Sequence, residues 1–210
     1  MGKDDNRRPI AARRTGWARQ LAAALARSSI TPNQISLLSI AFAAMGAAML
    51  AWAPIPPGLV LAAVCIQLRL LCNLLDGMVA VEGGKQSATG ALFNEFPDRI
   101  ADSLLIVGLG YGCGWPWLGW LGALLAALTA YVRLAGGSLG LAQDFRGPMA
   151  KQHRMAVLTI ACIAGAIEGT MSGSRWCLLG AAVLIAAGSA ITCITRSLAI
   201  ARQLKAEPPA

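Results

Sequence analysis

The chain has 210 residues, 56% of them hydrophobic and 13% charged, with a formal net charge of +8 and a mean hydropathy of +0.59. A water-soluble domain of this length needs far more charge to cover its surface, so the composition excludes an ordinary soluble fold and points to a bilayer protein. Each crossing takes about 20 mostly apolar residues, which leaves room for about six once the first thirty are set aside.

Seven of the 18 basic residues (Lys3, Arg7, Arg8, Arg13, Arg14, Arg19 and Arg27) precede the first long apolar run. Ahead of a membrane domain, such a cluster biases the segment toward the cytoplasm and draws it to anionic lipid, not to nucleic acid. The apolar stretch Leu21 to Leu25 is short, is flanked by Arg19 and Arg27, and is followed by no credible cleavage site, which argues against a signal peptide. Trp17, Leu21 and Leu25 recur at helical spacing. Residues 1–30 therefore read as a cytoplasmic juxtamembrane segment whose amphipathic helix lies in the interface. Cys65, Cys72, Cys113, Cys162, Cys177 and Cys193 form no CxxC pair and read as small apolar residues. His153 is the single histidine, and nothing near it suggests a serine–histidine catalytic pair.

Six spans follow in chain order: Pro32–Ala53, Leu59–Val81, Ala88–Tyr111, Trp117–Leu141, Met155–Met171 and Trp176–Ile200. Thr31 can cap the first, and Pro32 suits its first turn. The expected fold is all-α, with a six-helix membrane domain over 31–203 and a polar tail over 204–210. Lys85, then Arg146, Lys151 and Arg154, then Arg196, Arg202 and Lys205 mark every second connection as basic, whereas the alternate loops hold only Arg175, together with Glu168. This positive-inside pattern predicts a multi-pass protein of a bacterial-type inner membrane with both termini in the cytoplasm. Trp115, Trp117, Trp120 and Trp176 read as an interfacial belt.

Ionisable groups inside a span are costly and therefore candidates for function. They concentrate in two spans: Arg69, Asn73 and Asp76 in the second, and Asn94, Glu95, Asp98, Arg99 and Asp102 in the third. Asn73 and Asp76 are three apart on one helix face. Asn94, Asp98 and Asp102 step by four, and with Glu95 they share roughly a 100° arc. If the two helices are antiparallel neighbours joined at the cytoplasmic side, both sets meet at one depth. Carboxylates this close repel one another, so a divalent cation is their natural companion, and oxygen donors favour magnesium, manganese or calcium over zinc. Pro97, immediately before Asp98, removes a backbone hydrogen bond and can aim that side chain.

Asn73-Leu-Leu-Asp76-Gly77-x-x-Ala80, followed by Gly90-x-x-x-Asn94-x-x-x-Asp98, resembles the signature of the CDP-alcohol phosphotransferase family, D-x-x-D-G-x-x-A-R, a spacer of eight, then G-x-x-x-D-x-x-x-D. The spacing matches throughout. The departures are Asn73 and Asn94 at the first and third aspartates, and Val81 at the arginine. Glu95 and Asp102 stand nearby as carboxylates that can restore the lost charge, with Glu95 reading equally well as a structural polar group.

The resemblance implies a phospholipid-synthesis enzyme that moves a phosphatidyl group from CDP-diacylglycerol to an alcohol and releases CMP, using two divalent ions, Mg2+ or Mn2+. It implies Asp76 as a metal ligand, Asn73 and Asn94 as weaker ligands, and Asp98 as ligand and general base. It also implies Gly77, Ala80 and Gly90 around the cytidine, and a homodimer. Arg133, Arg146, Lys151 and Arg154 are candidates for the lipid phosphate or an anionic acceptor. The competing reading is a non-catalytic or transport protein on the same scaffold, from which cation-dependent CMP release distinguishes the enzyme.

Overall fold

A computed structural model describes residues 15–85 and 87–206; Lys3, Arg7, Arg8, Arg13, Arg14 and the tail beyond residue 206 lie outside the described residues. The described residues form seven α-helices and no strand: α1 (Gly16–Arg27), α2 (Pro32–Trp52), α3 (Pro56–Val81), α4 (Gly90–Gly112), α5 (Pro116–Ser138), α6 (Lys151–Met171) and α7 (Trp176–Ala206). The start of α2 carries a full capping box. Gln34 N donates to Thr31 Oγ1 at 3.3 Å, and Thr31 N donates to Gln34 Oε1 at 2.9 Å, which satisfies two amides that the first turn leaves without partners. Prolines open α2, α3 and α5, where the missing N–H costs nothing. α4 continues through Pro97.

The six longer helices close into a ring in the order α2, α3, α6, α7, α5, α4, with α1 lying against α3. Leu50, Leu59, Ile66, Leu105, Leu109, Leu158, Leu178 and Ile185 fill its interior as one apolar core. α2 packs along both α3 and α4, and these two helices meet through polar side chains, Arg69 and Asn73 on α3 with Asp98 and Asp102 on α4.

Five helices (α2, α3, α5, α6 and α7) are long and apolar enough to cross a membrane. α4 is 23 residues long but carries Glu95, Asp98, Arg99 and Asp102. The outer surface keeps large apolar side chains exposed, among them Ile160, Ile163 and Ile167 on α6 and Ile191, Ile194 and Leu198 on α7; on such a scale this marks a surface that faces lipid. Trp52, Trp115, Trp117, Trp120 and Trp176 stand exposed at the end opposite the α3–α4 connection.

On α1, Ala18 and Ala22 are buried and pack with Leu75, Met78 and Val79 of α3, while Trp17 and Leu21 are exposed. Lys85 Nζ, in the α3–α4 connection, donates to Ser28 O at 2.5 Å and Ile30 O at 3.0 Å. A cation at the carboxyl end of a helix meets carbonyls that the helix cannot satisfy itself, so the loop that borders the cavity is fastened to α1.

Candidate active site

A cavity of 960 Å³ opens at the end of the ring that carries the α3–α4 connection. It is lined by Asn73, Asp76, Gly77 and Ala80 from α3, Gly90, Asn94, Glu95 and Asp98 from α4, Arg133 from α5, Lys151 and Arg154 from α6, and Arg196 from α7. The 3.6-residue period places the polar side chains of α3 and α4 on their inward arcs. The first turn of α6 presents Lys151 and Arg154 together, since three residues nearly complete a turn.

Asp98 is the most heavily engaged group. Its Oδ1 accepts from Asn73 Nδ2 at 2.5 Å and from Arg69 Nη2 at 3.4 Å. Its Oδ2 pairs with Lys151 Nζ and lies 3.7 Å from Arg99 Nη2. Asp76 contrasts with it. Only 5% exposed, it accepts at Oδ2 from Ser36 Oγ at 2.6 Å, while among the described residues its buried Oδ1 has no hydrogen-bond partner. An orphaned carboxylate oxygen inside a cavity is costly unless a cation or donor meets it.

Two further acidic residues are held by arginines. Asp102, 2% exposed, accepts at Oδ1 from Arg69 Nη2 at 2.6 Å and at Oδ2 from Arg154 Nη2 at 2.9 Å; it is not among the residues that line the cavity. Glu95 Oε1 accepts from Arg133 Nη2 at 2.6 Å, and its Oε2 lies 3.7 Å from Arg99. Arg133 also donates to Gln143 Oε1 at 2.8 Å and covers the Phe145 ring at 5.2 Å. Both acids sit on the expected arc and pair with guanidinium groups, although Glu95 Oε2, like Asp76 Oδ1, has no hydrogen-bond partner among the described residues.

Arg146 stands apart from the cavity lining: its side chain is exposed and pairs with Asp144 at 3.0 Å, a contact that holds the Asp144 carboxyl below the usual carboxylate range. His153 is exposed, with Nδ1 2.9 Å from Pro148 O. The lining also holds residues that the sequence does not single out, Arg196 and Ser36 among them. Arg196, one of the basic residues toward the tail, is 5% exposed and donates to Arg146 O at 2.7 Å and Thr129 O at 2.8 Å. Its signal was a lone arginine inside the last apolar run. Ser36 carried no signal, since serine is common in membrane helices and its partner lies 40 residues away.

Among the described residues no three His, Cys, Asp or Glu side chains converge as a metal site. The oxygen donors on the cavity wall at the motif positions are two carboxylates, Asp76 and Asp98, and two amides, Asn73 and Asn94. All are hard oxygen donors, a set that suits a magnesium- or manganese-like ion and not zinc.

A model of the CDP-alcohol phosphatidyltransferase family matches residues 29–194. The chain is 38% identical over 145 residues to archaetidylinositol phosphate synthase of Aeropyrum pernix, covering 68% of this chain and 72% of that protein. It is 38% identical over 110 residues to a bifunctional IPC transferase and DIPP synthase of Rubrobacter xylanophilus, where the match covers 52% of this chain but only 22% of that longer protein. Crystal structures of Mycobacterium tuberculosis phosphatidylinositol phosphate synthase share the fold. The form with CDP-DAG bound gives a TM-score of 0.72 at 20% identity, covering 92% of this chain and 98% of that one. The form in complex with manganese and citrate gives 0.75 at 21% identity, covering 92% and 93%. The matched stretch runs from just before α2 into α7 and includes every residue of the α3–α4 cluster: this multi-pass membrane protein belongs to the CDP-alcohol phosphatidyltransferase family.

Proposed function

We propose that the chain transfers the phosphatidyl group of CDP-diacylglycerol to the hydroxyl of an alcohol, releasing CMP, with Mg2+ or Mn2+ as cofactor. One observation carries this reading: a single cavity presents a buried carboxylate with a free oxygen, Asp76, beside a second carboxylate, Asp98, ringed by basic groups. Asp76 would hold the cation, with Asn73 and Asn94 at the positions of the signature's first and third aspartates as neutral oxygen donors. Bound there, the ion supplies positive charge against the diphosphate of the donor.

Asp98 acts as the general base. The acceptor oxygen forms a bond to the phosphatidyl phosphorus as its proton passes to a carboxylate oxygen of Asp98. The bond from phosphorus to the CMP oxygen breaks, and CMP leaves with that electron pair. Gly77, Ala80 and Gly90 keep that stretch of the wall low, which suits the flat cytidine ring. Arg133, Arg154 and Arg196 give the opposite wall the charge to receive the donor's phosphate or an anionic acceptor. Arg146 is left outside this set, and Asp102 serves as the counter-charge that keeps Arg69 and Arg154 in place.

The membrane arrangement belongs to the same reading. Residues 31–203 form the membrane domain, with α4 as the sixth span, its charges turned into the ring. α1 lies in the interface on its Trp17 and Leu21 side. Lys85, Arg146 and Lys151 share the cavity end of the ring, which the positive-inside bias assigns to the cytoplasm along with both termini. The family likeness also supports a homodimer.

The test is CMP release by purified protein supplied with CDP-diacylglycerol, Mg2+ or Mn2+ and a panel of alcohols. Asp98→Asn should lower release by about 10²- to 10⁴-fold, the span of general-base contributions. Retained nucleotide binding without release for any alcohol would favour the non-catalytic or transport alternative.

A further inference from the structure

The walls of the cavity raise a question of charge. A signature with four aspartates balances two divalent ions; here Asn73 and Asn94 halve that charge. Ion pairs around the site join five cations (Arg69, Arg99, Arg133, Lys151, Arg154) to three carboxylates (Glu95, Asp98, Asp102), and the cavity wall adds Lys85 and Arg196 against Asp76 alone. Bringing two divalent ions into a cluster with that excess meets strong repulsion in a poorly screened interior.

The contacts of Asp98 show how the charge is met. One oxygen accepts from Asn73 Nδ2 at 2.5 Å and the other pairs with Lys151 Nζ. A carboxylate at position 73, at that distance from Asp98, would need a bridging cation or a shared proton. The amide needs neither, because it donates a hydrogen bond instead. Asp76 is the reverse case: among the described residues it forms no ion pair, Ser36 fixes Oδ2, and Oδ1 has no hydrogen-bond partner.

We infer that this site takes one divalent cation, at Asp76, and that Lys151 stands beside Asp98 where a second cation would otherwise be needed. The inference rests on the cation-dependent transferase reading above and adds the division of labour within it. Lys151 is a positioning residue: it and Asn73 fix the carboxylate of Asp98 so that the general base faces the acceptor hydroxyl. Arg69 supports them from below, touching Asp98 and Asp102 with one nitrogen.

The experiment is a Mn2+ titration of the purified full-length protein, followed by electron paramagnetic resonance. One Mn2+ per chain with an uncoupled spectrum is expected, lost in Asp76→Asn. Lys151→Ala should keep that ion, while kcat falls about 100-fold, the scale seen when one preorganised charge donor is removed, and the KM for CDP-diacylglycerol changes far less. Lys151→Arg should recover part of kcat. The double variant Asn73→Asp with Asn94→Asp should gain a second ion and a spin-coupled spectrum. Two Mn2+ per chain in the unaltered protein would overturn this inference while leaving the transferase reading intact. Loss of the ion in Lys151→Ala with kcat unchanged would also overturn it. No Mn2+ bound by the unaltered protein would remove the cation-dependent reading itself, and this inference with it.

Discussion

The two ends of the helix ring are built on opposite principles. At the end away from the α3–α4 connection, helices approach until backbone meets backbone. A Cβ on Gly110 would lie 2.5 Å from Gly119 Cα, and one on Gly112 would lie 2.5 Å from Leu50 O. At the other end the helices stand apart around 960 Å³, and charged side chains span the gaps from α3, α4, α5 and α6. Small residues give a membrane bundle close dispersion contacts without any need for water to be expelled. Paired charges hold an opening only if each is matched, because an unmatched charge in an interior is penalised heavily. The first end supplies rigidity; the second supplies a site.

That contrast is open to direct attack, and the largest effect belongs to the charged end. Asp102→Asn leaves Arg69 and Arg154, at 0% and 1% exposure, without their shared counter-charge. Breaking a buried pair in this way costs about 3–5 kcal/mol. A marked fall in Tm in detergent should come with loss of CMP release, since Arg69 also touches Asp98. A variant as stable and as active as the parent would mean that the network is not what holds the opening.

A smaller effect is expected at the close-packed end. Gly110→Ala puts a methyl group against the Gly119 backbone, an overpacking cost of about 1–3 kcal/mol, partly offset by the roughly 1 kcal/mol that alanine gains over glycine in a helix. Tm should drop while CMP release, measured well below that Tm, stays near the parent value. Activity lost in proportion to stability would show that the two ends are coupled and erase the distinction.

The smallest effect should come from the loop that joins the site to the interfacial helix. Lys85→Ala removes the donor to Ser28 O and Ile30 O and should cost about 1 kcal/mol or less, as for a cation at a helix terminus. Faster hydrogen exchange confined to residues 23–30 would be the signature. Unchanged exchange there would mean that Ala18 and Ala22 alone hold α1.

How much of this was legible beforehand differs by level. The helices came through well: the expected spans Pro32–Ala53 and Leu59–Val81 correspond to α2 at Pro32–Trp52 and α3 at Pro56–Val81, because long apolar runs bounded by proline and glycine leave few alternatives. The fifth span was begun late. α6 starts at Lys151, since charged residues that turn into a polar cavity need not end a helix. The candidate residues on α3 and α4 were also legible, because burying charge in an apolar run is costly enough to stand out. Their partners were not. Glu95 and Asp102 look alike on the helical arc as possible replacements for missing ligands, yet each faces arginines from helices 38 and 52 residues further along.

The sequence by itself determined the all-helical membrane character, the limits of α2 and α3 and the family signature, since all three depend on local composition and spacing along one chain. Tertiary structure alone decided that α2 packs along both α3 and α4, that Arg196 and Ser36 reach the cavity, and which acid meets which base. The physical reason is range. Helical period and hydropathy act over a few residues, whereas an ion pair is fixed only when two distant helices bring opposite charges within about 4 Å of each other in a poorly screening interior.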